Sequence, residues 1–121
     1  MKGIRVKVRA ICGPTESEEK VRRAIRNLLH AVAEPAFTVH NLSGIFGEPL
    51  RVIEADVADG PAEQAAKHLI ESLPSEYVSE RIESSGSVET IHLRLNKQLA
   101  YLGIIQPAET DAIKVEITSR K

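Results

Sequence analysis

Four separate stretches of this chain alternate apolar and polar residues with a period of two, and no other feature limits the possible folds as strongly. Ile4, Val6, Val8 and Ala10 alternate with Arg5, Lys7 and Arg9, and Ile53, Ala55 and Val57 alternate with Glu54 and Asp56. Ile91, Leu93 and Leu95 alternate with His92 and Arg94, and Ile113, Val115 and Ile117 with Lys114, Glu116 and Thr118. Successive side chains of a strand point to opposite faces, so each stretch has one face to bury and one to leave open. Strands of this kind belong in a sheet that helices cover on one side only.

The segments between supply those helices. Gly13-Pro14 breaks the first strand, Thr15 and Glu18 match a capping box, and Val21, Ala24, Ile25, Leu28, Leu29 and Val32 mark one helical face as far as Pro35. The basic run Lys20, Arg22, Arg23, Arg26 is balanced by Glu16, Glu18 and Glu19, each four residues before a cation, which leaves only Arg26 and His30 without such a partner. Asp59-Gly60-Pro61 opens a second helix with Pro61 at its first position. Ala62, Ala65, Ala66, Leu69, Ile70 and Leu73 line its face, and Pro74 stops it. Phe37 to Leu42 and Leu50 to Val57 read as strands joined by the turn from Ser43 to Pro49. Ser75 to Ile82 stays open between a helical turn and a strand, Ser84 to Ser87 reads as a turn, and residues 119–121 as a frayed tail. The expected architecture is α+β: one domain over residues 1–121, a two-layer sandwich with a mixed or antiparallel sheet of five or six strands and two main helices on one face. Its open face should carry Arg5, Lys7, Arg9, His92, Arg94 and Lys114, diluted by Glu54, Asp56 and Glu116.

The stretch from Leu93 to Gly103 changes period in mid-course. After Leu95 the alternation ends, Asn96 is a good N-cap, Gly103 suits a helix C-terminus, and Lys97 and Gln98 fall in the first turn between them. A lysine there opposes the helix dipole, so the sharpest candidate site is an anion held by Lys97, Gln98 and Arg94, with Arg5, Lys7 and Arg9 extending the positive surface. The plainer alternative is that these are solvated surface charges.

Composition removes several functional classes. Net charge is −1 among 121 residues, so any polyanion must be held by a local patch. Aromatic residues are 3% of the chain and tryptophan is absent, which argues against a broad base-stacking platform. A single cysteine, Cys12, excludes an internal disulfide and a multi-cysteine zinc site, and reads as a buried thiol in a reducing, cytoplasmic setting. No apolar run is long enough to span a membrane, and no cofactor motif is present. His30, His40, His68 and His92 lie on four different elements without ligand spacing, and nothing places Glu48 beside Asp111 as an acid and base, so no catalytic or metal residues are assigned. Ile45 and Phe46, apolar between two glycines, either tuck beneath the sheet or form a contact point for a protein partner.

Three motifs carry a family resemblance. Pro14-Thr15-Glu16 with Lys20-Val21 resembles the P-T-E-x-x-x-K-V opening of a group of small archaeal proteins described as predicted RNA-binding proteins or predicted exosome subunits. Gly44-Ile45-Phe46-Gly47-Glu48-Pro49 resembles their G-x-x-G-N-P turn, and Leu93 to Gly103 resembles their L-R-L-D-K-Q-x-A-Y-L-G signature. Glu48 stands where Asn is expected and Asn96 where Asp is usual; the second exchange keeps the cap, and the first replaces an amide with a charge. The resemblance implies a fold like that of the large-subunit ribosomal protein that binds 5S rRNA. It also implies a non-catalytic role in RNA processing or decay, with RNA as a weak, sequence-independent partner. The alternative is an interaction subunit or adaptor of an RNA-processing complex, or a homodimer, that touches no RNA. Tyr101 is a lone stacking group in the first case and part of the core otherwise.

Overall fold

The computed structural model describes residues 2–30 and 35–120. In chain order its elements are β1 (Lys2–Cys12), α1 (Glu18–Leu28), β2 (Phe37–Ser43), β3 (Pro49–Ala58) and α2 (Asp59–Glu71). They continue with α3 (Ser75–Glu80), β4 (Ile82–Ser85), β5 (Val88–Asn96), α4 (Lys97–Tyr101) and β6 (Ala112–Arg120). The strands form one six-stranded sheet in the order β2-β3-β1-β6-β5-β4, antiparallel at every pairing. This is the expected two-layer α+β arrangement, with the sheet open on one face.

The alternation explains the core. Val6 faces Val57 and Ile117, Val8 faces Ala55 and Val115, and Leu93 faces Val115, all on the buried side. Onto this face α1 brings Val21, Ala24, Ile25 and Leu28, and α2 brings Ala62, Ala65, Ala66 and Leu69. The alanines of α2 let its backbone lie close to the sheet. Leu28 is fully buried beneath α1, and cutting such a side chain back to alanine typically costs about 2–5 kcal/mol.

Several local expectations change. The cap of α1 is Ser17, whose hydroxyl accepts from the Lys20 amide, because a turn closed by the Glu16 amide on the Gly13 carbonyl uses up Thr15 and Glu16. The helix ends at Leu28, with the Leu29 amide bonded to the Ile25 carbonyl, and Val32 lies outside the described residues. In α2, Pro61 is the third residue rather than the first. Ser75 to Ile82 divides into α3 and the first residue of β4, so Ser84 and Ser85 are strand and the turn is Gly86-Ser87. Ser119 is buried and β6 runs on to Arg120, since both of its neighbours, β1 and β5, pair with it to the end.

The short strand β4 covers β5 only from Val88 to Ile91. Beyond it the edge of β5 is closed by other means. The Arg81 carbonyl accepts from the His92 amide at 3.0 Å, and the Tyr77 hydroxyl, reaching from α3, serves both main-chain groups of Arg94 at 3.0 and 3.2 Å. Gln106 and Ala108 then bond the main chain of Asn96 and Arg94.

Candidate functional site

The first region is built where β1 and β5 end. Asn96 caps α4 by accepting from the Leu99 amide at 2.9 Å, as its place in the sequence suggests, and Gly103 takes the left-handed conformation (φ 83°) that ends the turn. Lys97, however, is not a free cation. It is 6% exposed, and its ammonium donates to the Ile11 carbonyl at 2.9 Å, to Glu16 at 2.8 Å and to Asp111 at 2.8 Å. Three protons meet three acceptors, so none remains for an outside anion. Glu16 also accepts from the Gly13 amide at 2.9 Å. Burial by itself would lower the Lys97 pKa, but hydrogen bonds to Asp111 and Glu16 outweigh it and hold the ammonium above its ordinary value. Burial likewise pushes the Glu16 carboxyl up, and the bonds from Lys97 and Gly13 bring it net below its ordinary value. Lys97 and Glu16 therefore stay ionised through the neutral range.

Above this cluster lies a groove of about 410 Å³ lined by Thr15, Glu16, Ser17, Lys20, Val21, Lys97, Gln98 and Tyr101. Two of the sequence motifs, some eighty residues apart, thus form one wall each. Gln98 is exposed and Tyr101 half-buried. Asn27 of α1 holds α4 in place by donating to the Tyr101 carbonyl and to the Ala100 carbonyl, which also accepts from the Gly103 amide. Lys20 and Arg23 sit 5.7 and 5.5 Å from the centre of the Tyr101 ring. The Glu18–Arg22 pair forms as expected at 2.7 Å, but Glu16 turns to Lys97 and Glu19 to Arg26 at 3.3 Å. Lys20 and Arg23 consequently have no ion pair among the described residues, and Arg26, expected to lack one, has it.

The second region is the open face of the sheet. Strand register places the side chains in transverse rows. One row reads Asp56, Lys7, Glu116, with His92 at its end, and Arg5 beside it reaches Asp56 at 2.9 Å. The next reads Glu54, Arg9, Lys114, Arg94: three cations side by side on β1, β6 and β5. Arg9 touches Glu54 at 3.6 Å, whereas Lys114 and Arg94 have no ion pair among the described residues, and the Arg94 Nε is buried without a partner. Because both main-chain groups of Arg94 turn outward to Tyr77, it faces Lys114 in a non-hydrogen-bonded pair, the register that brings side chains closest. Lys114 was placed on this face by its alternation, yet its part in the row emerges only from register.

The other candidates fall apart from these. Ile45 and Phe46 do not tuck beneath the sheet: they are 94% and 93% exposed at the tip of the β2–β3 hairpin. Glu48 caps that turn by accepting from the Phe46 amide at 3.0 Å and lies over Gly44, where any side chain would collide with its carboxylate. Glu48 and Asp111 are thus engaged on different partners. His30 and His68 meet as stacked rings 4.4 Å apart, and His92 lies between Glu83 and Glu116. Among the described residues no group of three or more His, Cys, Asp or Glu could hold a metal ion. Cys12 is fully buried, and burial pushes its thiol pKa up, which suits a structural thiol rather than a reactive one. No helix among the described residues is long and apolar enough to cross a membrane.

Comparison with known proteins gives a consistent result. A family model described as RNA binding matches residues 5–119. The RNA-binding protein PAB1135 of Pyrococcus abyssi is 28% identical over 93% of this chain and 79% of its own length. A crystal structure of a protein from Archaeoglobus fulgidus is 30% identical and superposes with a TM-score of 0.76, over 96% of this chain and 86% of that one. A DUF54 protein of Methanothermobacter thermautotrophicus, 25% identical, superposes at 0.78 over 96% and 85%.

Proposed function

The chain belongs to the RNA-binding family, and on that premise we propose that it binds RNA phosphates, without chemical turnover, through the open face of its sheet. Arg9, Lys114 and Arg94 make the central contacts, and Arg5 and Lys7 extend them. One observation carries this reading. Like charges facing each other across strands are destabilising, and here Arg9 faces Lys114 while Lys114 faces Arg94, with Glu54 at only one end of the row. A polyanion laid across the three strands would relieve that repulsion through charge-assisted hydrogen bonds. Phosphate contacts position a nucleic acid without reading its sequence, so binding is weak and sequence-independent. Lys97 is held by Ile11, Glu16 and Asp111, and Gln98 lies beside it at the groove. Archaeal RNA processing or decay, in association with an exosome-type assembly, is the setting proposed from the motif resemblance.

The test is a fluorescence-anisotropy titration of single-stranded RNA at several salt concentrations. Each phosphate neutralised contributes about 0.7 to the log–log salt slope for a single strand. An Arg94→Ala, Lys114→Ala double variant should bind more weakly and lose about 1.4 from that slope. An unchanged slope refutes the assignment of the row. A second reading rests on the exposure of Ile45 and Phe46, which suits a protein-contacting adaptor or a homodimer. Under that reading Phe46→Ser abolishes association while the double variant does not.

A further inference from the structure

We propose that the groove between α1 and α4 is a pocket for a single unstacked nucleobase, with Tyr101 as its stacking surface and Gln98 at its polar edge. The inference rests on the RNA-binding reading above and adds to the sheet face a second, base-contacting site. Three observations support it. The cavity, about 410 Å³, falls at the small end of the roughly 300–1,000 Å³ usual for small-molecule sites, which suits one nucleotide and not a peptide. Its lining has the division of labour that base binding needs: a half-buried aromatic ring for the face of the base, and an exposed amide and the hydroxyl-bearing Thr15 and Ser17 for its edge.

The third observation is electrostatic. Lys20 and Arg23 would be neutralised on an isolated helix by Glu16 and Glu19, yet both acids are diverted, Glu16 to the buried Lys97 and Glu19 to Arg26. The two released cations converge on Tyr101, where one of them can exchange its contact with the ring for the phosphate of a nucleotide stacked there. Glu16 itself borders the groove, and the cluster it forms with Lys97 and Asp111 has a formal charge of −1, which the two positive charges of Lys20 and Arg23 exceed.

Two twelve-residue single-stranded RNAs decide the matter: oligouridylate, and an abasic strand with the same phosphates. Each is titrated by fluorescence anisotropy with wild type, Tyr101→Leu and Tyr101→Phe, after thermal unfolding has verified that each variant folds cooperatively. Wild type should prefer the base-bearing strand by about 5- to 160-fold, the range of one stacked base. Tyr101→Leu should remove that preference and leave abasic binding and its salt slope unchanged, and Tyr101→Phe should retain it. Equal binding of the two strands by wild type, with a clear salt slope, overturns the pocket while the sheet-face reading stands. A preference that survives in Tyr101→Leu also overturns it. Failure of both strands to bind at low salt overturns the pocket together with the reading on which it rests.

Discussion

Replacing Lys97 with methionine should destabilise the protein by about 2–3 kcal/mol, although a lysine early in a helical turn looks like a dispensable surface charge. Removing one member of a buried ion pair costs about 3–5 kcal/mol when the charge left behind stays buried. Here the side chains of Glu16 and Asp111 are 36% and 61% exposed, so both carboxylates rehydrate in part and the cost falls toward the lower end. The Ile11 carbonyl loses its side-chain donor, which adds about 1 kcal/mol, and the methionine stem recovers some packing. For a chain of this length the sum corresponds to a drop of about 10 °C in Tm. Urea unfolding followed by circular dichroism measures it, with Glu16→Gln and the double variant completing a cycle. The cycle should show non-additivity above about 0.5 kcal/mol, because the two side chains share one contact. A loss below about 0.5 kcal/mol for Lys97→Met, or strict additivity, would refute the view that this cluster ties β1 to α4.

Two further outcomes follow from the geometry. Phe46→Ser should leave the urea midpoint within the small range of surface substitutions, about 0.5 kcal/mol, since a side chain 93% exposed buries almost nothing; a larger loss would mean that the hairpin tip supports the fold. Acidification should weaken the fold in two stages, followed by urea midpoints across pH. Burial, reinforced by His30, holds the His68 pKa below its ordinary 6.5, so the unfolded chain takes the proton first and stability falls as pH drops through 6.5; His68→Asn should flatten that limb. The depressed Glu16 carboxyl keeps its contribution above 4.5 and loses it as pH falls through its lower folded value.

The strands were legible because alternation is a local signal that one-sided burial enforces, and the rows of the open face follow from it once register is known. Asn96 was legible for the same reason: a cap acts on amides two or three residues away. Lys97 was not. Its partners lie 86, 81 and 14 residues distant, and nothing in its own neighbourhood announces that Glu16 will abandon Lys20 for it. That diversion hid the lack of an ion pair at Lys20 among the described residues, as the turn of Glu19 to Arg26 hid it at Arg23. β4 escaped notice because Ile82-Glu83-Ser84-Ser85 is exposed throughout and so carries no alternation. For Ile45 and Phe46 the sequence left burial and exposure open, because the general preference of apolar groups for the interior and their place between two turn glycines point opposite ways; the turn exposes them.

The Tyr77 hydroxyl does for β5 what a longer neighbouring strand would otherwise do. With Arg81, Gln106 and Ala108 it saturates the main chain past the end of β4, so this margin of the sheet offers no template there on which another chain could extend the ladder. The sheet is thereby sealed along the strand that bears Arg94. On this flank only the four residues of β4 remain open to strand addition, whereas the opposite margin, β2, runs for seven residues and its hairpin also presents Phe46. The two flanks therefore differ in the length of ladder they offer, and a partner that docks by main-chain pairing finds the longer template at β2.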